Sequence, residues 1–334
     1  LSIRFQILGR PETDNALLVQ VDGGQGTDRL LFDCGDRCMD ELSYGEIQAI
    51  DHLFFSHFHM DHVSGFDNFF RCVFNRTNKP NRIWGPPGAA AILQHRFQGF
   101  LWNWVDHMSS QWRVTEIHPD LLRHWRYETS EAYATAHAEP ATAYDVACWD
   151  GGHYVVEAMA MDHRVPSMAY VVREKPRYNV DPANMAALGL TPGSWLKAVK
   201  EGMQQGELEI NGQRHDLAVL RQQLLTAVPG ESIAYLTDFL LDEQAIARLV
   251  PFLSDVRWMV CESQYRHVDA ELAHRNFHMT TTWTAKLAAA AQVDELVLFH
   301  ISNRYPKTEW PAMLAEARAI FPRTRFPEHW DIPG

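Results

Sequence analysis

Leu53-Phe54-Phe55-Ser56-His57-Phe58-His59-Met60-Asp61-His62 decides how this chain is read. An apolar run entering three histidines and an aspartate within six positions describes a buried strand ending in a loop crowded with imidazole and carboxylate donors. Such donors suit Zn2+, and four of them in one stretch can serve two neighbouring ions. A loop of solvated histidines is the plain alternative in a chain with 17 of them. Isolated His95, His107 and His124 are read that way, as surface or satisfied core residues. The clustered set is read as metal-binding.

Working outward, short runs rich in Val, Ile, Leu and Phe predict strands over 29–32, 52–55, 154–159, 232–236, 257–260 and 295–299. Each is followed almost at once by a polar residue of chemical interest: Asp33, Ser56-His57, Asp162-His163, Asp238, Glu262 and His300. Loops at strand ends are where a rigid scaffold gathers groups from distant parts of a chain. His163, Asp238 and His300 are therefore the candidates to complete the ligand set, although Asp238 could equally open the helix after it. Helical spacing of apolar residues predicts helices over 88–107, 242–253, 280–292 and 307–320. The aromatic run Phe97 to Trp104 shares that spacing and is assigned to core packing rather than to stacking on bases. The class is α/β, two sheets with helices outside.

The 334 residues and 46% hydrophobic content allow one large core. No apolar run approaches the ~20 residues that cross a bilayer, and Leu1-Ser2-Ile3-Arg4-Phe5 lacks the features of a signal peptide. A cytoplasmic protein with no membrane partner is expected. Cys34, Cys38, Cys72, Cys148 and Cys261 cannot all pair, so reduced thiols are expected. The formal net charge of −12 excludes broad electrostatic attraction to nucleic acid, so an RNA partner must be gripped locally. Pro176, Pro182, Pro192-Gly193 and Gly202 punctuate residues 173–230, which read as an excursion from a single domain spanning 1–334. With seven Lys or Arg against six Asp or Glu, that excursion is the least acidic long segment.

These motifs resemble the metallo-β-lactamase superfamily and, within it, the ribonuclease Z family of endonucleases that trim 3′ trailers from precursor tRNA. The likeness runs through Leu31-Phe32-Asp33-Cys34-Gly35-Asp36, then Ser56 to His62, then Asp162 to Tyr170, then Tyr235-Leu236-Thr237-Asp238. Its most specific part extends from Cys261-Glu262-Ser263 through Phe277-His278-Met279-Thr280 to Leu298-Phe299-His300-Ile301-Ser302-Asn303-Arg304-Tyr305. The pattern departs from the family at Met60, where Gly is usual, at Leu8-Gly9-Arg10-Pro11 and at Asp36-Arg37-Cys38, all of which leave the ligands intact.

The resemblance implies a four-layer αββα sandwich with a protruding arm at 173–230 that grips RNA, and a homodimer. It implies two zinc ions, with manganese or iron as possible substitutes. His57, His59 and His163 would hold one, Asp61, His62 and His300 the other, and Asp238 would bridge them. Ions about 3.5 to 4 Å apart share a hydroxide as nucleophile. Catalytic work then falls to Asp61 and to His278 with Glu262 behind it, which protonate the leaving oxygen. Ser302 and Arg304 would bind substrate phosphate. Two other readings remain open: a hydrolase of a small phosphodiester or other ester, and a non-catalytic binding module on the same fold.

Overall fold

The computed structural model describes residues 2–201 and 206–333; Leu1 and Gly202 lie outside them. The chain divides into two compact units, Leu1–Arg173 with Glu231–Gly334, and Glu174–Gly230.

In the larger unit, β1 (Ile3–Leu8), β2 (Ala16–Asp22), β3 (Thr27–Phe32), β4 (His52–Phe54), β5 (Asn81–Gly85), β6 (Gln111–Ile117), β7 (Leu121–Glu128) and β8 (His137–Ala143) form one sheet in that order. The run β3 to β6 is parallel and its flanks are antiparallel. Next come β9 (Ala147–Asp150), β10 (Tyr154–Asp162) and β11 (Pro166–Glu174). The smaller unit holds β12 (Arg177–Val180), β13 (Glu207–Ile210), β14 (Gln213–Asp216) and β15 (Leu225–Val228). The chain then returns through β16 (Ser232–Leu236), β17 (Trp258–Glu262), β18 (Glu295–Phe299) and β19 (Thr324–Arg325). A second sheet runs β19-β18-β17-β16-β11-β10-β9, parallel from β16 to β19.

Side-chain alternation explains the layering. In β2, Leu17, Val19 and Val21 join the core between the sheets, while Ala16 and Leu18 join a second core on the opposite face. Phe54 and its neighbours Leu53 and Phe55 divide in the same way. A strand buried on both faces needs cover on both. Helices Tyr44–Gln48, Phe66–Val73 and Ala89–Phe97 close the first sheet, and Glu243–Phe252, Thr281–Ala291 and Trp310–Arg318 the second. The result is the four-layer αββα sandwich.

One element differs from expectation. The helix foreseen over 88–107 stops at Phe97 and is followed by Gly99, a strong helix breaker, with a separate 3-10 turn at Val105–His107. Phe97 is buried and Trp102 packs against the same core, yet Phe100, Leu101 and Trp104 are exposed at 44%, 100% and 77%, so the aromatic run is core only in part. All five cysteines are free thiols, and among the described residues no helix is long and apolar enough to cross a membrane.

The smaller unit has its own apolar cluster of Leu190, Val199, Ile210, Leu217, Leu220 and Leu224. It pairs β12 with β15 and β13 with β14, with helices Pro182–Ala187, Trp195–Glu201 and Leu217–Leu224 between them.

Candidate metal centre

The parallel strands of the two sheets end on one region of the larger unit, as chemistry-bearing loops do in open α/β sheets. Asp33 follows β3, Ser56-His57 follow β4, Asp238 follows β16, Glu262 closes β17 and His300 follows β18. Asp33, Asp238 and His300 take φ of 60°, 53° and 54°, left-handed backbone that turns the chain sharply off each strand. His163 leads the turn between β10 and β11.

Ligand-capable atoms of His57, His59 and His163 lie within 4.8 Å of one another, and so do those of Asp61, His62 and His300. Asp238 joins His57 and His62 in a third such group, which places it between the first two. All seven residues singled out from the sequence as metal ligands therefore meet in one place.

The ring nitrogens show which atoms are available. His62 Nδ1 donates to Asp33 Oδ2 at 2.7 Å, and His163 Nδ1 donates to the Phe277 carbonyl at 2.8 Å. Ser56 Oγ donates to Asp33 Oδ2 at 2.7 Å and faces His57 Nδ1 at 3.1 Å, so it accepts from that ring. Each of these imidazoles thus commits Nδ1 and turns Nε2 toward the cluster, the arrangement found where histidine binds metal. His57 Nε2 is buried with no hydrogen-bond partner, and His62 Nε2 and His300 Nδ1, also buried without a well-formed hydrogen bond, face Asp238 Oδ2 at 3.0 and 3.5 Å. Buried polar atoms are rarely left so, and a cation among them would satisfy them. The nitrogen and carboxylate set fits a first-row divalent ion.

Electrostatics agree. Burial pushes His57 down to about 2, so the ring is neutral and its lone pair free. Burial also disfavours charge on His300, but the Asp238 carboxylate outweighs it and drives the ring up to about 10. His62 is raised in the same way by Asp238 and Asp33. The negative potential that holds protons on these rings is the potential that attracts a cation.

Beside the cluster, Glu262 Oε1 accepts from the Met279 amide at 2.8 Å and from His278 Nδ1 at 3.0 Å, while Oε2 accepts from the Asp238 amide at 2.6 Å. One buried carboxylate therefore aligns both Asp238 and His278. Burial opposes its ionisation, but the His278 charge outweighs that and holds Glu262 down at about 2. Burial likewise opposes charge on His278, and Glu262 overrides it to bring the ring up to about 9.

Ser302 and Arg304 lie on the loop after His300. Ser302 Oγ accepts from the Arg304 amide at 3.4 Å. The Arg304 guanidinium sits 5.6 Å from the Tyr265 ring and 3.7 Å from Asp269, and Tyr265 lies 5.9 Å from the His278 ring.

Sequence reasoning gave no role to Asp33, Ser56 or Tyr235. Tyr235 donates to Asp33 Oδ2 at 2.9 Å across 202 positions, and the Ser56 amide donates to Asp33 Oδ1 at 2.6 Å. The signal available was the repeated polar residue at a strand end; the partners needed the sheet register.

Residues 11–164 match the family model described as Anti-Pycsar protein Apyc1. The chain is 49% identical to Ribonuclease Z of Deinococcus radiodurans over 97% of both sequences. It is 30% identical to Ribonuclease Z of Crocosphaera subtropica, over 88% of this chain and 84% of that one. Among solved structures it resembles the metallo-beta-lactamase fold protein YhfI from Bacillus subtilis, with a TM-score of 0.57 at 14% identity, covering 97% of this chain and 95% of that one. It also resembles the short form of human tRNase Z, with a TM-score of 0.52 at 17% identity, covering 91% and 93%. This chain belongs to the ribonuclease Z family.

Proposed function

We propose that the protein is a dinuclear zinc endoribonuclease that removes 3′ trailers from precursor tRNA. The observation that carries this reading is the likeness to a named Ribonuclease Z along nearly the full length of both chains. The convergence of seven candidate ligands supports it. His57, His59 and His163 would hold one ion and Asp61, His62 and His300 the other, with Asp238, grouped with His57 and His62, available to both. The chemistry such ions would supply is a water of lowered pKa and an offset for charge on the phosphodiester.

The chain's own groups do the rest. Asp61 anchors its side of the cluster. His278, protonated and aimed by Glu262, delivers a proton to the leaving 3′ oxygen. Ser302 and Arg304 take phosphate oxygens through charge-assisted hydrogen bonds. The 174–230 unit is the arm that grips tRNA, in a cytoplasmic homodimer.

A small phosphodiester is the second reading, favoured by the net charge of −12, which gives RNA no general attraction. Purified protein is assayed on a precursor tRNA with a short trailer and on bis(p-nitrophenyl) phosphate. Trailer cleavage that Asp238→Ala abolishes supports the endonuclease. Turnover of the ester alone removes tRNA and leaves the second reading.

A further inference from the structure

The inner face of the first sheet should be apolar wherever the second sheet covers it. Along one row it is not. Arg82 on β5 stands directly opposite Arg113 on β6, and Arg113 directly opposite Arg126 on β7. Like charges facing each other across a sheet are destabilising, so a row of three needs a counter-charge.

The protein supplies only part of it. Glu139 on β8 accepts from Arg113 Nε at 2.7 Å and lies 3.7 Å from Arg126, which also pairs with Glu128. The Arg82 guanidinium makes no hydrogen bond or ion pair among the described residues and lies 4.7 Å over the ring of Trp149, on the edge strand β9. Burial lowers its pKa, and the Arg113 charge adds to that. The three arginines line an open cleft of about 450 Å3 whose lining also includes Arg76 and Lys79, with Glu139 as its single carboxylate. Arg76 is committed to backbone carbonyls and Asn81, and Lys79 to Asp51. Counting Asp28, Asp51 and Glu128 with Glu139 against the five cations leaves a surplus of one in a protein whose net charge is −12.

We propose that the cross-strand row Arg82, Arg113 and Arg126 is a binding site for the phosphodiester backbone of RNA, with Arg82 as its unpaired cation. The row lies at the start of β5 and β6, whereas the metal cluster lies beyond the ends of the parallel strands. It therefore contacts RNA away from the scissile bond. Planar guanidinium groups fit successive phosphate oxygens, and the cleft gives the local grip that the acidic surface denies elsewhere.

This inference rests on the reading of the protein as an RNA enzyme, and two probes keep them apart. Binding is measured by fluorescence anisotropy for a trailer-bearing precursor tRNA and for a single-stranded oligouridylate, from 50 to 200 mM salt. Arg82→Gln and, separately, Arg126→Gln are expected to weaken both complexes by roughly three- to tenfold, and to reduce the salt slope by about one contact's worth. Arg82→Lys restores most of the slope, and turnover of bis(p-nitrophenyl) phosphate is unchanged. If the wild-type protein cleaves no tRNA but the oligouridylate loses affinity in both Gln variants, the endonuclease reading falls and the row stands. If neither RNA distinguishes wild type from the Gln variants, the row is overturned.

Discussion

His62 and Asp33, 29 positions apart, meet through a 2.7 Å hydrogen bond that fixes the imidazole with its Nε2 facing the candidate ligands Asp61 and Asp238. Asp33 also accepts from the Ser56 amide and hydroxyl and from Tyr235, so one buried carboxylate ties β3, β4 and β16 to a single ligand.

Asp33→Asn keeps the size and tolerates the left-handed backbone, but it loses the charge that orients His62. Metal affinity is expected to fall roughly 10- to 100-fold, as for other groups that orient a metal ligand. Competition with a chromophoric chelator measures it; unchanged affinity would show that His62 is aimed by packing alone.

His278→Ala and Glu262→Gln are expected to keep full metal content and to lower kcat on a trailer-bearing tRNA by roughly 10^2- to 10^4-fold, the usual contribution of a positioned acid. Since Glu262 holds the ring up at about 9, His278 is protonated at neutral pH and the wild-type rate should decline above that value. Loss of metal from His278→Ala would instead make the ring a ligand.

A pH effect on stability follows from His52, which lies in the core between the sheets and accepts from Trp84 Nε1 at 3.0 Å. Burial, aided by the charge of Arg82, pushes its pKa down to about 3 from an ordinary 6.5. Below pH 6.5 the unfolded chain takes up a proton that the folded protein refuses. The stabilising effect of the neutral ring is whole above 6.5 and is lost as pH falls toward 3, by up to about 1.4 kcal/mol per pH unit. Urea midpoints at pH 7.5 and 5 measure it. His52→Gln, which keeps an acceptor for Trp84, should show a shallower decline than wild type; an equal decline would assign the effect to other groups.

The smaller unit, the proposed arm, can be removed cleanly because Arg173 and Ser232 are direct partners in β11 and β16, so a short turn can join the flanking strands. A chain lacking 174–230 should hydrolyse bis(p-nitrophenyl) phosphate at a near-normal rate and lose most tRNA cleavage through a raised KM. An unaltered KM for tRNA would remove the arm from recognition.

The sequence made parts of this legible for physical reasons. His57, His59, Asp61 and His62 are close in the chain, and the strand ends before His163, Asp238 and His300 are marked by apolar runs with abrupt stops. β16 and β18 were expected with their observed limits, Ser232–Leu236 and Glu295–Phe299, because strands buried on both faces read as unbroken apolar runs. The strands β5 to β7 carry no such run, since part of their inner face is the arginine row. The helix ending at Phe97 was drawn too long because Trp102 and Trp104 continue the periodicity past Gly99. Tyr235 could not be joined to Asp33 without knowing which strands are neighbours.

The most direct test of hydrolysis by an activated water is the chemistry of the cut ends. Precursor tRNA cleaved by the zinc-loaded protein should carry a 3′-hydroxyl on the tRNA and a 5′-phosphate on the released trailer. A 2′,3′-cyclic phosphate on the tRNA and a 5′-hydroxyl on the trailer would contradict the account, because the RNA's own 2′-hydroxyl would then have made the attack.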